Sequence, residues 1–413
     1  MPRSFVTAAW LFATLGCQPE GGADAGFALL DGLDVIEVGA AGDAPILPWR
    51  LSETPSVRVG GDGRGEHHQY VEVSAATILR DGRVMVTDDR TGLVRLYGPA
   101  GDFRGQLGSR GEGPGEFQSP SSLLWVQGDS IWIWDHTLWR TSVFSPQGAF
   151  VRSERYDPTA AGLYPVQGMW PAVVQLSGEG SLLIHLRSKG KAKVPGGDDL
   201  DRVGLAVHRY GAAKLDLIGL LPREEQAEVE APWGATTLTP PLAAGPRITL
   251  SREEDWACVG HQSVPELLCV SATGHRVGLR WSSQPRSVWP GDPAIARWRD
   301  ETGRLYSGKM SDREVRAMVA AVPAPRLYPA FRDLMFDALG YLWVGLGPTS
   351  QGPSESEYLI FGPELRLEGR LTLPTMTVIE IGADYVMGIR RDTIGVEEVV
   401  VFPLSRSAGR ESG

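Results

Sequence analysis

Histidines, carboxylates and glycine loops are the residues here whose types could do chemistry, and their spacing supports little of it. Glu66-His67-His68 sets three metal-binding types in a row. Adjacent side chains on an extended strand point to opposite faces, so the run reads more simply as an exposed loop. His136, His185, His208, His261 and His275 occur singly, and a metal site built from them would need several distant segments to converge. The glycine runs Gly61-Asp62-Gly63-Arg64-Gly65 and Gly108-Ser109-Arg110-Gly111 precede strands, whereas a phosphate cradle needs a glycine loop that opens a helix. No GxSxG, HExxH, Walker or EF-hand pattern occurs.

Besides Cys17, the cysteines are Cys258 and Cys269. Each lies in a short apolar run, and a turn-rich segment separates them. Two strands of a hairpin would bring them opposite each other, near bridging distance, and an oxidising compartment would allow the disulfide. The other reading is two buried thiols acting as small hydrophobes. The net charge is −10 and Lys occurs at only five positions, three of them in the run Lys189-Gly190-Lys191-Ala192-Lys193, which reads as a solvated loop. The lack of a basic stripe argues against nucleic acid as a partner. The 51 Gly and 30 Pro suit many short strands joined by tight turns, and the 13 Trp suit the filling of large apolar surfaces.

The elements that must position these residues repeat along the chain. Residues 74–107 read as four strands: Ser74–Leu79, Val84–Asp88, Leu93–Tyr97 and Phe103–Leu107, with an Asp81-Gly82 turn and a Pro99-Ala100-Gly101 turn. Residues 122–154 repeat the pattern, and fainter copies begin at Ala172, Ile248 and Leu334. Alternation, β-branched and aromatic enrichment, and short Gly-containing links make each copy a four-stranded antiparallel blade. The last copy, Thr377–Ile381, Tyr385–Ile389 and Glu397–Phe402, has only three strands. Ser56-Val57-Arg58-Val59 is the candidate for its fourth, closing the ring and leaving no long open edge. The fold class is therefore all-β: a six-bladed β-propeller closed by an N-terminal strand, with a small helical insertion.

The inter-blade loop Gly108-Ser109-Arg110-Gly111-Glu112-Gly113-Pro114-Gly115-Glu116-Phe117, followed by Pro120, resembles the signature of NHL-type repeats. It is closer still to that of bacterial six-bladed β-propeller lipoproteins. The resemblance runs loosely from Val57 to Leu404 and is specific over blades one, two and five. It implies the fold and an exported location. That family is largely of unknown function, so no catalytic residue carries over.

The N-terminus agrees with export. Arg3 and the apolar run Phe5–Gly16 read as a signal peptide, and Thr14-Leu15-Gly16-Cys17 resembles a lipobox in which Cys17 is lipidated. Thr14 and Leu15 depart from the commonest lipobox pattern. The expected location is periplasmic or outer-membrane-attached, with the membrane reached through the lipid. The organisation expected is a signal peptide over 1–17, a tether and lead-in over 18–55, the propeller over 56–405 with a helical insertion at 286–327, and a tail over 406–413.

Loop lengths point to one working face. Links between strands one and two, and three and four, are short throughout. The other face carries the insertions Arg187–Val203, the Glu112 loop, Pro222–Pro246, Pro285–Pro329 and Gly347–Glu357, and insertions gathered on one face mark a binding face. Ser311-Asp312-Arg313-Glu314 is a capping box opening a helix there. Candidate binding residues at this rim are Arg110, Glu112, Glu116, Asp135, His136, Arg187, Arg390 and Arg391, with Asp88, Asp89 and Arg90 nearby. Asp88 and Asp135 hold matching repeat positions and suit turn capping. The reading favoured is a binding module for a small molecule, glycan or protein, with no cofactor. The alternative is a metal-dependent, lactonase-like hydrolase or an NHL-type lyase, which would need Ca²⁺ or Zn²⁺ held by polar residues at the inner-strand ends. Inner strands beginning Ser74, Ser122, Ala172, Ile248, Leu334 and Thr377 are poor in such ligands.

Overall fold

The computed structural model describes residues 29–406 apart from 62–64, 127–129, 157–168, 178–180, 189–201, 210–211, 213, 254, 290, 350–351 and 393–394. Cys17 and its lipobox-like segment, the centre of the Arg187–Val203 insertion with its lysines, and the tail beyond Arg406 lie outside the described residues.

Strand burial follows position within a blade. Middle strands such as Val84–Asp88 and Arg140–Phe144 are buried along their whole length, because neighbouring blades cover both faces. The outer strand Phe150–Arg155 is almost wholly exposed. Blades one to five each hold four antiparallel strands in sequence order, starting at Val73, Pro120, Met169, Pro246 and Asp333. The sixth joins Thr377–Ile381, Tyr385–Arg391 and Glu397–Ser405 to Val57–Gly60, with Val59 opposite Val399 and Val57 opposite Val401. The ring is thus closed by the N-terminal strand. Six apolar clusters, one between each pair of successive blades, form the core.

The lead-in is itself structured from residue 29 onward. Val35–Ala40 runs parallel to the outer strand of blade four as a fifth strand, and Arg50–Leu51 pairs with the end of Glu397–Ser405. Cys258 and Cys269 face each other across the two middle strands of blade four and form a disulfide, with Cα atoms 4.1 Å apart. Both are fully buried against blade five.

Two insertions form a cap. Helices α1 (Pro293–Tyr306) and α2 (Asp312–Ala321) are started by Asp292 and by the Ser311–Glu314 capping box. They pack on a hairpin, Ala227–Ala231 with Gly234–Leu238, that the loop reading of Pro222–Pro246 missed. Met318 and Val322 meet Ala227, Val229 and Leu238 in a small core of their own, and the Trp298 indole N–H donates to the Thr239 carbonyl at 2.8 Å.

Candidate functional site

The structure divides the rim residues into staples and a convergent group. Asp88 and Asp135 end the second strands of blades one and two, and both are fully buried. Asp88 accepts from the Val71 and Thr91 amides, and Asp135 from those of Gln118, Ser119, Thr137 and Leu138. Each carboxylate ties the incoming inter-blade connection to its blade. The Gly108–Phe117 loop is organised from within. The Arg140 guanidinium donates to the carbonyls of Glu112, Gly113 and Glu116, the Glu116 carboxylate accepts from the Gly113 amide, and that of Glu112 from the Gln118 side-chain amide. Gly108 has φ +62°, and a β-carbon there would collide with the Gly115 carbonyl. Phe117, fully buried, fills the seam between blades one and two. Arg110 and Glu112 therefore belong to this loop.

His136 lies 3.7 Å from Asp89, and Arg90 lies 3.3 Å from Glu72. Arg390 stands over the Phe402 ring. Glu66–His68 forms a 3₁₀ turn in which Glu66 and His67 are exposed, as expected, while His68 is buried with its Nδ1 accepting from the Gly60 amide. The turn forms because it seats that ring beside Tyr97.

Arg187 and Arg391 instead join a polar group at the capped end of the channel. Arg187 and His185 come from the second strand of blade three, and Arg187 pairs with Glu224 at 3.0 Å. Arg247 comes from the inner strand of blade four, and Arg332 and Asp333 from the start of the inner strand of blade five. Arg297 and Glu301 come from α1 above them, with Glu301 3.7 Å from Arg391 of blade six. The inner strands start one or two residues earlier than the sequence reading placed them, at Pro246 and Asp333. That shift corrects the picture of ligand-poor strand ends, because it adds Arg247 and Asp333 to the channel. The available signal was a polar residue immediately before each apolar run.

The electrostatics of this group are those of crowded charge with little water. Burial, then the Arg247 and Arg187 charges, pushes the His185 pKa down to about 4, so its imidazole is neutral at pH 7. Burial lowers the pKa of Arg247, against the opposing pull of Asp333 and Glu224. Burial, then repulsion from Arg391, lowers that of Arg297, and Arg332 adds to it. Burial raises the pKa of Asp333, whose carboxylate accepts from the Tyr358 hydroxyl at 3.0 Å. Among the described residues, no three His, Cys, Asp or Glu side chains gather as a metal cluster.

Toward the other end of the channel, Glu380 of the blade-six inner strand accepts from the Tyr385 hydroxyl. Burial raises its pKa, although hydrogen bonds from Thr77 and Tyr385 oppose the shift. A carboxyl with a raised folded-state pKa favours folding at low pH, and this contribution is lost as pH rises through the window from the ordinary value to the raised one. Glu380→Gln is therefore expected to stabilise the protein at pH 7. The gain should shrink as pH falls toward the ordinary carboxyl range; thermal melts of both proteins from pH 4 to pH 8 measure it.

No family model and no curated protein matches the sequence. Solved structures do. A Bacteroides fragilis protein described as exported aligns over 89% of this chain and 99% of its own, at 13% identity and a TM-score of 0.43. A member of the DUF4221 family from Bacteroides vulgatus aligns over 87% and 99%, at 10% identity and a TM-score of 0.47. Virginiamycin B lyase from Staphylococcus aureus aligns over 86% and 99%, at 10% identity and a TM-score of 0.37. At such identities the likeness is one of fold.

Proposed function

We propose that this chain is an exported propeller, anchored by lipid at Cys17, that binds a small carboxylate-bearing anion at the capped end of its channel. One observation carries the ligand class. Arg247, Arg297 and Arg332, brought from two blades and the cap, are each half-buried, and none has a carboxylate within ion-pair distance among the described residues. Guanidinium groups withdrawn from water and crowded together are costly unless an anion joins them. Their planar forks suit carboxylate oxygens in pairs. Neutral His185 adds a hydrogen-bonding group without charge.

Titration calorimetry of the full chain with citrate tests this reading. Saturable binding is expected, weakened at least tenfold by Arg247→Met and by Arg332→Met, and weakened further by added salt. Absence of binding by citrate, or unchanged affinity in both variants, would overturn it. So would a stoichiometric metal at this site, found by elemental analysis, since that would favour a metal-dependent enzyme.

A further inference from the structure

A second recess lies away from the channel, on the outer flank between blades four and five. Its volume is about 780 Å³, within the roughly 300–1,000 Å³ of small-ligand pockets. The lead-in builds its outer wall. After pairing along blade four, the chain turns at Ala41–Asp43 and crosses to blade five, where Arg370 donates its amide to Pro45 and its Nε to Ala44, and Leu47 donates back to the Arg370 carbonyl. The inner wall is the start of the helical insertion. Tyr328 donates its amide to Arg286 and its hydroxyl to Asp292, while accepting at that hydroxyl from the Trp289 amide at 3.2 Å. The Tyr328 ring and the backbone at Trp289 are thereby held in place.

The polar floor is built as deliberately. Glu357 is fixed between Arg286 and Arg370, each 2.7 Å away, and its side chain is 12% exposed. Burial alone would raise the Glu357 pKa, but the two guanidinium groups outweigh it and hold the pKa below the ordinary carboxyl value. With Glu355 and Asp43 at the rim, the charges lining the recess nearly cancel, which disfavours a strongly charged guest. Around the rim, the side chains of Ser282, Ser283, Gln284 and Thr372 make no hydrogen bond to another described residue.

From this combination we infer a second binding site, one for a short neutral oligosaccharide. Hydroxyl-rich rings need many donors and acceptors along their edges and an aromatic surface against their C–H faces. The serines, Gln284 and Thr372 supply the first, the edges of the Arg–Glu–Arg floor add fixed donors, and Trp289 supplies the second. The site is independent of the arginine group in the channel.

Calorimetric titration of the full chain with cellobiose, maltotriose, mannobiose and chitobiose tests the inference. At least one is expected to bind saturably. Trp289→Ala should weaken that binding at least tenfold, and Thr372→Trp, on an exposed strand position that can accept bulk without disturbing the core, should abolish it. Arg247→Met should leave it unchanged, which separates this site from the channel. No saturable binding by any of the four at about 10 mM, a concentration above the millimolar end of the affinity scale, would overturn the inference. Binding that survives Thr372→Trp would overturn it as well.

Discussion

Val59→Asp is expected to leave the chain without a soluble, cooperatively melting fold, while Arg58→Ala beside it changes stability by less than about 1 kcal/mol. The contrast follows from the closing strand's alternation. Val59 is fully buried in the seam between blades six and one, packed with Val57, Val73, Val84, Met387 and Val399. An unpaired carboxylate there costs several kcal/mol. It also weakens the strand that completes blade six beside blade one, where Val59 lies opposite Val399. Arg58 points outward to Glu398 at 2.8 Å, with 43% of its side chain exposed. Val59→Ala gives a graded version: two buried methyl groups removed, for a loss of roughly 2 kcal/mol with the residual cavity included. Solubility and denaturant melts of the three variants measure these effects. A Val59→Asp protein that melts as cooperatively as the parent would contradict closure by this strand.

Arg406→Ala has the second largest expected effect. Arg406 follows the last strand and inserts its guanidinium among Trp49, Tyr341 and Trp343, 4.6 Å from the centroid of the Trp49 ring. Its nitrogens donate to Asp337 at 2.8 Å and to the carbonyls of Gly382 and Ala383. The Asp337 carboxylate is fully buried and accepts as well from the Leu339 and Tyr341 amides and the Trp343 indole. Removing the cation leaves that carboxylate buried with neutral donors alone, and breaking such a pair costs about 3–5 kcal/mol. The three remaining donors place Arg406→Ala at the lower end, about 3 kcal/mol. Arg406→Lys should recover only part of this, because an ammonium cannot stack as a plane while donating sideways. Urea melts of both variants give the values. A loss under about 1 kcal/mol for Arg406→Ala, the size of an exposed ion pair, would show that the clamp contributes little.

Much of the propeller was legible because its information is local. The short apolar run opening Val84–Asp88, the Asp81-Gly82 and Gly340 turns, and a last copy one strand short are each read from residues close together in the chain. Local patterning failed at two kinds of element. The strand Val35–Ala40 and the hairpin from Ala227 to Leu238 are short, polar on their exposed sides, and stable only on a surface supplied by blade four or by α2. Their strandedness is a tertiary effect, and the flanking sequence does not announce it.

The residues of the proposed channel site were legible only in part. Arg187 and Arg391 were visible among the rim residues, and both reach the channel group. Arg110, Glu112 and Glu116 lie in the inter-blade loop and Asp135 at the strand end beside it, and the contacts there are made within that connection and with Asp135 and Arg140 of blade two.

By itself the sequence determined how many blades form, where their turns fall, and which strand completes the sixth. Each of these follows from periodicity and turn chemistry acting over short stretches of chain. Only the tertiary structure decided that Arg247, Arg297, Arg332 and Asp333 share one space while Glu112 and Glu116 spend their charge on their own loop. Convergence around an axis depends on where blades close and on which end of each inner strand faces the channel, and no local pattern of residue types encodes that distance.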